Sequence, residues 1–156
     1  MFTMDALIAH LVGDYVLQYD WMATEKVKQS MAAAAHALTY TLPFLFITHS
    51  FAALTVIAGT HFVIDRWRLA RYVCWIKNWL DPQALQWLGK MAIWLGDPDM
   101  DKFDRDLFTL RHPPALDKTT TGYGPEKPAW MAVWLLIITD NTMHLLCNGA
   151  ALHYLT

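Results

Sequence analysis

His61-Phe62-Val63-Ile64-Asp65 sets a histidine and an aspartate four residues apart inside an apolar run, and Arg66, Arg68 and Arg71 follow at once. Positions i and i+4 share one face of an α-helix, a turn apart. The same spacing recurs as His10 and Asp14 near the start and, reversed, as Asp140 and His144 near the end. Three apolar segments can therefore each present an imidazole and a carboxylate inward. The expected fold is all-α, a helical bundle gathered around a metal.

The apolar segments 4–19, 31–65 and 129–156 hold six histidines and four aspartates. Chance placement of these gives roughly 0.6 pairs at i±4, against the three present, so the pattern exceeds an accidental motif match.

Composition points to a bilayer. The chain of 156 residues is most simply one domain, 1–156. It is 55 % hydrophobic, with eight Trp, eight Met, six Tyr and seven Phe, and its mean hydropathy is +0.21. That exceeds the usual apolar share of a soluble domain. A net charge of −2 gives no basic excess, so no nucleic-acid partner is expected. Cys74 and Cys147 lie far apart without CxxC spacing and are expected to be buried, reduced thiols. The opening Met1–Asp5 lacks the positive region of a cleavable leader, so membrane placement is expected from the chain's own helices.

Along the chain, 4–19 is apolar but short for a span, with His10, Asp14 and Gln18 on one stripe. A polar turn over 20–30 holds Lys26 and Lys28. Residues 31–48 form an 18-residue apolar run carrying His36, with a kink expected at Pro43. The run over 51–65 follows, with Gly59-Thr60 as a close-packing point. Basic residues and tryptophans over 66–80 predict an amphipathic helix at the membrane interface. The proline-rich, acidic stretch 81–128 predicts a long polar loop with a short helix over 83–95, and 129–147 the last span. The architecture expected is a four-helix integral membrane bundle with an interfacial helix and a polar loop before the last helix. Lys26 and Lys28 then share a side with Arg66, Arg68 and Arg71. The positive-inside rule makes that side cytoplasmic, so a multi-pass inner-membrane protein is expected, its site opening toward the cytoplasmic leaflet.

Ionisable groups in apolar helices are expensive and need compensation. His10, Asp14, His36, His61, Asp65, Asp140 and His144 supply up to seven ligands, enough for one metal or for two bridged by a carboxylate. Imidazole with carboxylate suits a divalent ion such as zinc, manganese or iron better than the oxygen shells of calcium or magnesium. Asp14, Asp65 or Asp140 would serve as general base where not a ligand. Arg66 and Arg68 would bind a phosphate, with Gln18 as a substrate contact. The competing expectation is a sealed His–Asp network that locks the helices without metal.

HLVGDYVLQYDWMA from residue 10, HAL at 36–38, HFVIDRWR at 61–68 and DNTMHLL at 140–146 resemble a family of small membrane proteins of bacteria and phages. That family is catalogued as a domain of unknown function. The resemblance covers the four apolar segments and leaves 81–128 outside. The pattern is also distantly similar to membrane-bound metal-dependent hydrolases. What it implies is a fold and a metal site at His10, Asp14, His36, His61, Asp65, Asp140 and His144, with Gln18 at the family's glutamine. It implies no substrate. The function expected is a metal-dependent hydrolase acting on a phosphoester or lipid-linked substrate. The alternative is a non-enzymatic membrane regulator whose 81–128 loop captures a protein partner. A soluble helical metalloprotein and an oligomeric proton or ion carrier are weaker readings.

Overall fold

A computed structural model describes residues 3–80, 121–124 and 127–156. The expected 81–128 loop, its helix over 83–95 and its acidic run fall almost wholly outside these residues. Every regular element among the described residues is a helix. In order they are α1 (Met4–Leu11), a π-helical turn (Val12–Val16), α2 (Asp20–Glu25), α3 (Ser30–Thr41), a 3₁₀ turn (Leu42–Phe46), α4 (Phe51–Trp67), α5 (Leu69–Trp79) and α6 (Ala129–Tyr154). They form two compact units, Met1–Ala70 with Ile138–Thr156, and Arg71–Ile137.

In the first unit, side-chain oxygens start two helices. Thr3 accepts from the Ala6 N–H and Ser50 from the Ala53 N–H, each satisfying an otherwise orphaned donor. The Ser50 hydroxyl also donates to the Leu155 carbonyl at 2.5 Å, tying the start of α4 to the end of α6. α3 changes to a 3₁₀ turn where Pro43 lacks an N–H, the local form of the expected kink. Ala9, Tyr40, Phe44, Ile57 and Ala151 make a small apolar core.

This unit also buries ionisable side chains while large apolar ones face outward. His10, Asp14, His36, His61, Asp65, His144 and Asn148 are buried, while Leu38, Leu42, Phe46, Phe51, Val56 and Val63 are exposed. By length and composition one described helix, α6, can cross a membrane. α4 and the joined α3–3₁₀ segment are each shorter. The expected set of four spans is thus reduced to one helix that qualifies on those grounds.

The close-packing point is also elsewhere. Gly59 faces open space, whereas a Cβ at Gly13 would lie 2.7 Å from the Tyr40 carbonyl oxygen and 2.8 Å from the Tyr40 ring. Gly13 lets the π turn approach α3.

In the second unit, Tyr123 packs with buried Cys74 and Ala132 against Leu135 and Leu136. Asn78 donates to the Gly122 carbonyl at 2.7 Å and Lys77 to the Tyr123 hydroxyl at 2.9 Å, so the 121–124 turn is held on α5. Gly122 has φ +81°, and a Cβ there would meet the Arg71 carbonyl oxygen at 2.4 Å, so glycine is required on both counts. Of the two cysteines, Cys74 is buried as expected and Cys147 only partly so.

Two glycine substitutions separate these environments. Gly13→Ala is expected to destabilise by about 1–3 kcal/mol, because the α3 backbone cannot yield. Gly59→Ala is expected to stabilise by up to about 1 kcal/mol, through helix propensity alone. Thermal melts of the two variants beside wild type check the opposite signs.

Candidate metal centre

Four helical segments of the first unit bring side chains to one buried place. Asp14 comes from the π turn, His36 from the second turn of α3, His61 and Asp65 from the last two turns of α4, and Asp140 and His144 from α6. The i/i+4 spacing does what the sequence predicts for His61 and Asp65, whose Nε2 and Oδ2 are 3.2 Å apart. It does so too for Asp140 and His144, at 3.4 Å. Across helices, His36 Nε2 lies 3.2 Å from Asp14 Oδ1 and 3.3 Å from Asp65 Oδ2. His61 Nε2 lies 3.9 Å from Asp14 Oδ1, and His144 Nε2 lies 3.4 Å from Asp65 Oδ1.

These atoms form two groups. One is Asp14, His36, His61 and Asp65, the other Asp65, Asp140 and His144, with the donors of each group within 4.8 Å of one another. Asp65 belongs to both. Its Oδ2 faces the first group and its Oδ1 the second.

The ring nitrogens fit this arrangement. The Nε2 atoms of His61 and His144 are buried and in hydrogen-bond geometry with nothing, although carboxylate oxygens stand 3.2–3.4 Å away. Such nitrogens are close to the carboxylates without pointing at them as donors. A tetrahedral ion with bonds of about 2.0–2.1 Å sets its donor atoms about 3.3–3.4 Å apart. Most of the separations here match that edge. The residues fit a divalent ion of the zinc, manganese or iron kind.

His10, expected among the ligands, has a different place. Its Nδ1 is 2.8 Å from the Tyr40 hydroxyl and its Nε2 is 2.7 Å from Asn141 Oδ1. The Asn148 amide donates to the same hydroxyl at 2.6 Å, and the Asn141 amide donates to the Tyr15 hydroxyl at 2.7 Å. Because an amide oxygen only accepts, His10 Nε2 carries the proton and Nδ1 accepts from Tyr40. With both nitrogens used, His10 links α1, α3 and α6 and holds none of the donor positions. The cause is local. α1 ends at Leu11 and Asp14 belongs to the π turn, closed by Leu17 N–H to the Val12 carbonyl at 3.0 Å, where its carboxylate meets His36.

Lys26 is the residue beside the donor groups that sequence reasoning missed. Its Nζ is 2.8 Å from Asp65 Oδ2, the oxygen that also faces His36 and His61. Burial disfavours the ammonium, but the carboxylates of Asp65 and Asp14 outweigh this and hold its pKa above the ordinary lysine value. Its sequence signal was slight, one lysine in a polar turn. The arginines expected to bind phosphate are differently engaged. Arg66 donates to the carbonyls of Val27 at 2.6 Å and Lys28 at 3.4 Å, and to the Ser30 hydroxyl at 3.2 Å, so it clamps the α2–α3 turn. Arg68 ends α4 in the left-handed conformation, φ 49°. Gln18, half-buried beyond the π turn, belongs to neither donor group.

The class so defined is an all-helical protein with an interior of histidines and carboxylates, able to hold a metal. The chain belongs to DUF3307, a family of proteins of unknown function, whose profile matches residues 2–85. Asp14, Lys26, His36, His61 and Asp65 fall inside that match. Asp140 and His144 fall outside it, so the expected family pattern in the last helix lies beyond the matched residues. No curated protein and no solved structure matches the chain.

Two substitutions distinguish the parts of this interior. Tyr40→Phe leaves His10 and Asn148 without their shared partner and is expected to cost about 2–4 kcal/mol while leaving the ligands in place. Lys26→Met strands Asp65, and in metal-free protein is expected to cost about 2–3 kcal/mol, less than for a fully buried pair because the ammonium is 17 % exposed. Adding zinc or manganese should recover the stability of Lys26→Met and leave the Tyr40→Phe deficit unchanged. Melts with and without metal check both.

Proposed function

We propose that this protein is a membrane-embedded metal-binding protein and that its chemistry is metal-assisted hydrolysis of an anionic ester, of the phosphoester or lipid-linked class. The observation that carries the reading is the convergence of imidazole and carboxylate donors from four helical segments at 3.2–3.4 Å, with two buried ring nitrogens beside carboxylates but outside hydrogen-bond geometry. A divalent ion held there would lower the pKa of a water and polarise an ester oxygen. Lys26, not Arg66, is the cation beside the centre, and a metal competes with it for Asp65 Oδ2. Once displaced, its ammonium becomes available to an anionic group.

Membrane embedding rests on the buried ionisable residues and outward apolar side chains of the first unit and on the apolar, little-buried α6. α3 with its 3₁₀ extension reaches about 28 Å at 1.5 and 2.0 Å per residue, near the roughly 30 Å of bilayer hydrocarbon. α4 reaches about 25 Å. Arg66 on the 27–30 turn brings the two basic segments to one end of the unit, as a shared cytoplasmic face requires.

The second reading is a regulator with a sealed network. The Lys26–Asp65 ion pair and the His36–Asp14 hydrogen bond favour it, since both satisfy charges without metal.

The test is elemental mass spectrometry on detergent-purified protein from the membrane fraction, wild type beside His61→Ala and Asp65→Asn. Near-stoichiometric zinc, manganese or iron, lost in both variants, is the expected result. Metal-loaded wild type should then release nitrophenol from nitrophenyl phosphate esters at least tenfold faster than Asp65→Asn. Metal-free, well-folded wild type that takes up no added ion would establish the sealed network instead.

A further inference from the structure

The two donor groups are not equivalent, and the difference has a chemical meaning. Asp14, His36, His61 and Asp65 supply four protein donors, the number that closes a tetrahedral site. Three of these residues are at most 5 % exposed and Asp14 is 8 % exposed. Asp65, Asp140 and His144 supply three donors, the number that leaves one position open. Here His144 is 1 % exposed, with its Nε2 outside hydrogen-bond geometry, while the Asp140 side chain is 28 % exposed and gives this group its path to solvent.

Resting on the metal-binding reading above, we propose that the centre holds two divalent ions bridged by Asp65. One ion sits on Asp14, His36, His61 and Asp65 Oδ2, the other on Asp65 Oδ1, Asp140 and His144. The second carries the open position and is where an anionic ester meets the centre.

Charge admits a pair of ions when the substrate is counted with them. Asp14, Asp65 and Asp140 with Lys26 sum to −2 when the imidazoles are neutral, the state in which they ligate. One divalent ion brings the interior to zero and a second brings it to +2. That surplus suits the arrival of a dianion such as a phosphate monoester, and two ions on either side of one carboxylate form the clamp used in phosphoryl chemistry.

The geometry also suits a bridge. Asp65 Oδ2 lies within 3.3 Å of both His36 and His61 Nε2, while its Oδ1 lies 3.4 Å from His144 Nε2. A single ion drawing on both sets would have to chelate both Asp65 oxygens, whose small bite departs from the tetrahedral angle, whereas a bridge lets each oxygen serve its own ion.

The experiment counts ions and asks whether they are coupled. Metal-stripped protein is titrated with manganese, and bound metal per chain is measured by elemental mass spectrometry alongside electron paramagnetic resonance. Wild type is expected to hold two ions with the spectrum of an exchange-coupled pair. Asp140→Asn, at a partly exposed position, and His144→Ala are each expected to hold one uncoupled ion. His36→Ala, which opens the closed group, should also lose coupling, and circular dichroism verifies that each variant is folded. One ion per chain in wild type, lost alike in His36→Ala and His144→Ala, means a single centre and overturns the bridged pair while sparing the metal-binding reading. Two ions without coupling also overturn it. No bound ion at all overturns both.

Discussion

The Asp65 carboxylate is the point on which the interior depends. It is 5 % exposed, and a bare carboxylate in that environment would cost several kcal/mol. Around it stand Lys26, His36, His61 and His144, from the α2–α3 turn, α3, α4 and α6. Each partner comes from a different approach to the same two oxygens, so the carboxylate fixes the relative register of the segments. The apolar core beside it is small, built on Ala9, Tyr40, Phe44, Ile57 and Ala151. In this unit the polar centre supplies specificity that a larger apolar core would otherwise provide.

A second network protects the first. Asn148, Tyr40, His10 and Asn141 form a directed chain of hydrogen bonds from α6 through α3 and α1 back to α6. Tyr40 also stacks on the His61 ring, with centroids 3.6 Å apart. Since α1 is only eight residues long, it has little packing of its own to hold it. Gly13 permits the close approach, His10 anchors the helix, and Asp14 is thereby delivered to His36.

Helical spacing made most of this legible. His61/Asp65 and Asp140/His144 meet as i/i+4 pairs because α4 and α6 are regular through those turns, and His36 joins them as expected of a lone histidine in an apolar run. The His10/Asp14 pair failed for a physical reason, since a π turn intervenes and periodicity assumes a regular helix. Lys26 was hidden because a lysine in a polar turn reads as solvated surface, and its partner is 39 residues away in the chain. Gly59 was read as a packing point because it sits in an apolar helix, but only the neighbour decides, and Gly13 is the one that faces backbone. Arg66 looked like a phosphate ligand by its position after Asp65, yet the adjacent turn offers carbonyls nearer to hand.

Buried ionisable groups, outward apolar ones and ion binding belong together. In water, burying seven polar side chains while leaving leucines and phenylalanines outside would forfeit the hydrophobic driving force. In lipid the outward residues cost nothing, and helix association has to come from packing and from polar contacts between helices. In the proposed reading, side chains spread over the π turn, α3, α4 and α6 would act there as a cross-link, and bound cations would strengthen it by offsetting the net negative charge of Asp14, Asp65 and Asp140 with Lys26. The same cross-link becomes chemical only if one position is left open. Asp140 alone among the three carboxylates reaches solvent appreciably, so under that reading the half of the centre nearest α6 is the one that could leave a position open.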